Sequence, residues 1–167
     1  SIKQLPDYAF YSCENLLSVK VGSEMNKMGK IPFTGCTKLT GIEPEDGSAF
    51  FSDNAIIYQK GDSTSRAASG LTIIECLESR GDTTSPELYR KAAIATDNDP
   101  QLVNVTAIAE EGFAYNTGIT HVDLSDTQVT AIPEGCFMGD TRLKTVYQTQ
   151  QQVLERMLSQ EQLLMFI

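Results

Sequence analysis

The chain has 167 residues, 41% of them apolar and 21% charged, with a formal net charge of −9. This length and balance suit one domain with a real hydrophobic core. The acidic surface disfavours nucleic-acid backbones and anionic membranes as partners. No apolar run approaches the ~18–20 residues that span a bilayer, so no membrane insertion is expected. The chain starts at Ser1 without a signal peptide, which reads as a mature chain or an excised fragment, expected to be a monomer.

The first element runs from Ile2 to Val21. With Leu5 as position zero, Ile2 lies three residues before it, and Phe10, Leu16, Val19 and Val21 follow at plus 5, 11, 14 and 16. The second element repeats the pattern 23 residues later with Met25, Met28, Phe33, Leu39 and Ile42, and Pro44 takes the last slot. Residues 48–101 then break the period. Ala55-Ile-Ile-Tyr-Gln59 and Leu71-Thr-Ile-Ile-Glu-Cys-Leu77 read as strands around a polar, turn-rich stretch, which predicts a β-hairpin island inserted between coils. Ser85-Pro86-Glu87 is an N-cap, a first-turn proline and an early acid, so a short helix is expected over Pro86–Ala93. Asp97 and Asp99 lie in a loop but lack the ligand ladder of calcium loops.

The pattern resumes with Val105, Ile108, Phe113, Ile119, Val122 and Leu124. A fourth copy, 24 residues on, reads Val129, Ile132, Phe137, Leu143 and Val146, with Gln148 last. Of the 24 slots in four copies, 22 are apolar, against about 10 expected by chance at this composition, so the repeat is real. Its period lies in the range of about 20–29 residues typical of leucine-rich repeats. Leu-x-x-Val-x-Val alternates at its end and reads as a short strand with one buried face. One unit cannot bury that face alone, whereas stacked units share a continuous core with strands paired in parallel. A phenylalanine beside a small residue (Ala9, Pro32, Gly112 or Cys136) is suited to plug the space between coils. The tail beyond Gln148 has no Gly or Pro and carries apolar residues near one helical face. It reads as a capping helix over 149–167; a chain-pairing helix and a disordered end are the other readings.

The four cysteines, Cys13, Cys36, Cys76 and Cys136, contain no C-x-x-C pair, and His121 is the one histidine. A zinc site or Cys-His nucleophile is therefore poorly supported, and no metal or cofactor is expected. Cys13 and Cys36 share a slot with Asn116 and Asp140, which suits a turn-lining position bonded to backbone groups. An enzyme reading fails on parts, since G-x-S-x-G, H-E-x-x-H and a Gly-rich phosphate loop are all absent.

Ala9-Phe10-x-x-Cys13-x-x-Leu16 and Pro32-Phe33-x-x-Cys36-x-x-Leu39 resemble the BspA-like leucine-rich repeats of bacterial surface proteins. Gly112-Phe113-x-x-Asn116-x-x-Ile119 and Cys136-Phe137-x-x-Asp140-x-x-Leu143 are looser matches. The resemblance covers residues 2–47 and 102–148. It implies an α/β leucine-rich solenoid over 1–167 with short parallel strands, a hairpin-containing island over 48–101 and a C-terminal cap. It also implies a non-enzymatic extracellular or cell-surface protein that adheres to a protein or glycan, such as host matrix or a cell-surface receptor. Unpaired cysteines would equally suit an intracellular scaffold.

Two surfaces are candidates for binding. On the strand face, the outward slots are Ser18, Gly41, His121 and Thr145, with Lys20, Glu43, Asp123 and Tyr147 two residues on. Tyr147 is the best anchor, because aromatic residues are enriched at interface hot spots. In the island, Arg80-Gly81-Asp82 resembles an integrin-recognition tripeptide, with a cation and a carboxylate presented on a glycine turn. Gly-Asp also recurs at Gly61-Asp62 and Gly139-Asp140 as ordinary turn chemistry. A stalk or spacer with no ligand of its own fits the repeat equally well.

Overall fold

The computed structural model describes residues 1–61, 70–78, 105–125 and 127–148. Each repeat turns sharply around its phenylalanine. The turn uses two residues in left-handed backbone, one two places before the ring and one two places after it. These are Tyr8 and Ser12, Ile31 and Gly35, Glu111 and Tyr115, and Gly135 and Gly139, with φ from 24° to 81°. L-residues adopt this region reluctantly. Gly35 has a further constraint, since a Cβ there would lie 2.9 Å from the Ser12 Cα.

Between adjacent coils, these turns send alternate amides to the next one. The N–H groups of Tyr8, Phe10 and Ser12 donate to the carbonyls of Lys30, Pro32 and Thr34. Glu111, Phe113 and Tyr115 donate in the same register to Glu134, Cys136 and Met138. The ladder has one polarity: the earlier coil gives the amide and the later coil gives the carbonyl.

Short parallel strands complete each pair of coils. β1 (Gln4–Leu5) pairs with β3 (Lys27–Met28), and β2 (Lys20–Val21) pairs with β4 (Glu43–Pro44). β9 (His121–Asp123) pairs with β10 (Thr145–Tyr147). Between the two coil pairs lies a four-stranded sheet of β5 (Phe50–Asp53), β6 (Ile56–Lys60), β7 (Leu71–Cys76) and β8 (Val105–Ile108). β5, β6 and β7 run antiparallel, and β8 joins β7 in parallel. The expected hairpin is thus β6 with β7, but it is continuous with the third repeat through β8.

Both faces of this sheet are buried. Ile56, Tyr58, Leu71, Ile73 and Cys76 pack with Ile108, Phe113 and Ile119 of the third repeat. Phe50, Ile57, Ile74 and Leu77 pack with Met28, Phe33 and Leu39 of the second. The sheet is therefore a wall between two cores, which explains why AIIYQ and LTIIECL are runs of apolar residues rather than alternations.

The fold class expected from the sequence is corrected. The described residues form strands and turns and contain no α-helix, so the α/β class gives way to a strand-rich structure of small sheets. The physical reason lies in the connections: the turns around the phenylalanines are too short to pay for a helical nucleus, and left-handed residues interrupt them on both sides. No capping helix is part of the described structure; that expectation falls on 149–167, and the short helix on Pro86–Ala93, both outside the described residues. The strand face is also not one continuous row, because the β5–β8 sheet separates the second coil from the third. For the same reason the rings stack as two pairs rather than one column. Phe10 on Phe33 and Phe113 on Phe137 each have centroids 5.4 Å apart.

Candidate functional site

Lys20 and Glu43 are exposed register partners across β2 and β4. No ion pair joins them among the described residues. The adjoining row ends at Gly41, whose outer side is covered by the Ser52 hydroxyl of β5. That hydroxyl accepts the Ile42 N–H at 2.8 Å and fixes the crossing of β5 over β4.

The other half of the strand face is better built. His121 lies opposite Thr145, and Asp123 lies opposite Tyr147, on one parallel pair. Val122 between them is fully buried and anchors the strand, so its neighbours point outward. The His121 ring is half-buried, with Nδ1 2.7 Å from the Thr120 hydroxyl. Asp123 Oδ1 accepts the Ser125 N–H at 2.9 Å and the Ser125 hydroxyl, which holds the carboxylate in place. Tyr147 is 51% exposed beside it. The structure therefore unites His121, Asp123, Thr145 and Tyr147 and leaves Lys20 and Glu43 on a separate pair. Arg80, Gly81 and Asp82 lie outside the described residues.

In three of its four copies the shared cysteine slot bonds to backbone as its composition suggests, while Cys13 is exposed. The Cys36 thiol donates to the Phe10 carbonyl, the Asn116 amide donates to the Cys76 carbonyl, and Asp140 Oδ1 accepts the Asn116 N–H. Burial pushes the thiols of Cys36 and Cys136 up to about 11 and about 12, so neither is a nucleophile at neutral pH. Among the described residues, no group of His, Cys, Asp and Glu is arranged to hold a metal.

Two features were not anticipated from the sequence. The first is Glu75, a carboxyl 3% exposed at the end of β7. The second coil has no following coil to accept its amides. Glu75 Oε2 accepts the Phe33 N–H at 3.0 Å, and Glu78 Oε1 accepts the Gly35 N–H at 3.0 Å. On the other side of the same strand, the Cys76 N–H donates to the Gly112 carbonyl, as a preceding coil would. Two side-chain carboxyls and one amide thus replace a missing coil. Burial, reinforced by repulsion from Glu78, pushes Glu75 up to about 8 against the pull of the Phe33 N–H. An acid inside LTIIECL was the available signal, because a charge-capable residue in an apolar strand needs a partner. The second is an edge cluster. Tyr8 Oη donates to Glu111 at 2.6 Å, and Lys30 Nζ lies 2.6 Å from Glu110. It ties the first two coils to the third at an exposed rim, where ion pairs contribute little individually.

This arrangement is that of a repeat solenoid with an outward strand face and no assembled catalytic set among the described residues. A profile of the BspA-type leucine-rich repeat region matches residues 1–65 and 100–163, in six copies. The chain belongs to that family. Among solved structures, it resembles the pneumococcal vaccine antigen PcpA, with a TM-score of 0.60 and 16% identity over 87% of this chain. It also matches a leucine-rich cell-surface protein of Faecalibacterium prausnitzii, with a TM-score of 0.40 and 15% identity over 92% of this chain. The chain spans 30% of the pneumococcal chain and 54% of the other. No curated protein matches it.

Proposed function

We propose that the chain is an extracellular or cell-surface interaction module that binds a protein or glycan through its β9–β10 face, without catalysing a reaction. The observation that carries this reading is the register of Asp123 with Tyr147 and of His121 with Thr145. It sets an exposed aromatic ring beside a fixed carboxylate, a hydroxyl and an imidazole. Such a set offers stacking together with directional hydrogen bonds, and burying a tyrosine at an interface centre is worth ~2 kcal/mol or more. Membership of the BspA-type family supports the location, as does the likeness in fold to a pneumococcal antigen. The stalk reading draws on the split of the strand face into separate pairs, which leaves no long continuous surface.

The test is binding of the purified chain to arrays of matrix proteins, receptors and glycans, beside Tyr147→Ala and Asp82→Ala. Loss of roughly tenfold or more in Tyr147→Ala supports the β9–β10 face. Loss confined to Asp82→Ala moves the site to the Arg80-Gly81-Asp82 loop. No binding by the parent chain favours the spacer.

A further inference from the structure

Cys13 and Cys36 are neighbours across the first two coils. They lie 23 residues apart, the same offset that pairs Gln4 with Lys27 and Leu5 with Met28. Contacts on either side hold that register. The Phe10 and Phe33 rings stack just before the two cysteines, and just after them Lys38 Nζ donates to Asn15 Oδ1 at 2.7 Å. Register partners on adjacent strands lie about 4.8 Å apart, inside the window of about 4.4–6.8 Å between α-carbons that a disulfide spans.

The sulfur of Cys36 already reaches the first coil. Its thiol donates to the Phe10 carbonyl at 3.2 Å, and the Cys13 N–H bonds to the same sulfur. The equivalent slot of the third and fourth coils has the same reach, since Asp140 Oδ1 accepts the Asn116 N–H at 2.7 Å. A side chain of the later coil thus ends beside the main chain of its counterpart. In the first two coils both members of the slot carry sulfur, and in the other pair neither does. All four thiols are free in this structure. Cys13 is exposed whereas Cys36, Cys76 and Cys136 are buried, so a small oxidant meets Cys13 first.

We propose that Cys13 and Cys36 are an oxidation site, at which a small-molecule disulfide links them and staples the first coil to the second. The Cys13 thiol loses its proton to solvent and attacks one sulfur of the reagent, which breaks the reagent's S–S bond and releases one thiolate. Cys36 then loses its proton to solvent and attacks the Cys13 sulfur, expelling the second thiolate. The two cysteines give up two electrons to the reagent, and two protons pass through solvent to the two small thiols it becomes. Burial raises the Cys36 thiol to about 11, so the closing step draws on a small ionised fraction and is slow at neutral pH. The site is independent of the β9–β10 face, and an oxidising compartment is where such a bond persists.

The test is incubation of the fully reduced chain with oxidised glutathione at mildly alkaline pH, read by intact mass and by peptide mapping without reduction. The expected product is a single chain lighter by two hydrogens, with the Cys13 and Cys36 peptides joined. Cys36→Ser is expected to stop at a glutathione adduct on Cys13, and folded Cys13→Ser is expected to take up none. Hydrogen exchange at the Tyr8, Phe10 and Ser12 amides, which bond to the second coil, is expected to slow in the oxidised parent. A parent that stops at the adduct overturns the proposal. So does a link from Cys13 to Cys76, Cys136 or another chain, closure only under denaturing conditions, or exchange at those amides that oxidation leaves unchanged.

Discussion

Stability is predicted to fall as pH rises through the neutral range, and Glu75 is the main source. In the folded chain its carboxyl titrates at about 8, against an ordinary value of 4.5. The folded state therefore holds a proton that the unfolded chain releases. The contribution is fully present below about pH 4.5, is lost steadily as pH rises, and is gone above about 8. Each pH step in that window removes about 1.4 kcal/mol, so the whole interval is worth on the order of 4–5 kcal/mol, a large share of a typical domain stability. Glu75→Gln keeps an oxygen for the Phe33 N–H but cannot ionise. It is expected to match the parent near pH 5 and to exceed its stability by a few kcal/mol near pH 9. The assay is urea denaturation of both proteins at a series of pH values. Asp140, pushed up by burial to about 7, adds a smaller loss of the same sign in both proteins and so cancels in the comparison. An identical pH slope in parent and variant would refute the assignment of the buried carboxyl.

Three further outcomes follow from the packing. Phe33→Ala, at a fully buried ring stacked on Phe10, should cost about 3–5 kcal/mol in denaturant, and a loss under ~1 kcal/mol would contradict its role as a plug. Gly35→Ala should cost about 1–3 kcal/mol, since φ is 81° and the new Cβ would press on Ser12 backbone; a neutral result would mean that the turn relaxes. Alkylation followed by mass spectrometry should label Cys13 rapidly in the native chain and label Cys36, Cys76 and Cys136 only after unfolding, because only Cys13 is exposed.

The periodic part of the molecule was legible in the sequence. Apolar slots at fixed spacing named the buried residues of the second and third coils and the partly buried ones packed on them from the first and fourth, with Ile2 the exception at 69% exposed, because neighbouring coils impose the same local packing every 23–24 residues. The slot holding Cys36, Asn116 and Asp140 was also readable, since each of these side chains bonds a backbone group, whereas Cys13 in the same slot is exposed. The left-handed turns were partly hidden. Only Gly35, Gly135 and Gly139 advertise them, while Tyr8, Ser12, Ile31, Glu111 and Tyr115 adopt the same conformation without a glycine. The expected helix content failed because a repeat period specifies where side chains are buried, and tight turns satisfy it as well as helices do.

By itself, the sequence determined the repeat and the two strands of the island hairpin, both of which rest on spacing within a few dozen residues. Only the tertiary structure decided how the two pairs of coils are joined. The bond from the Phe33 N–H to Glu75 spans 42 residues, and β7 meets β8 across the island. Such partners are chosen by which unsatisfied backbone groups end up buried together, and no local pattern in the chain records that choice.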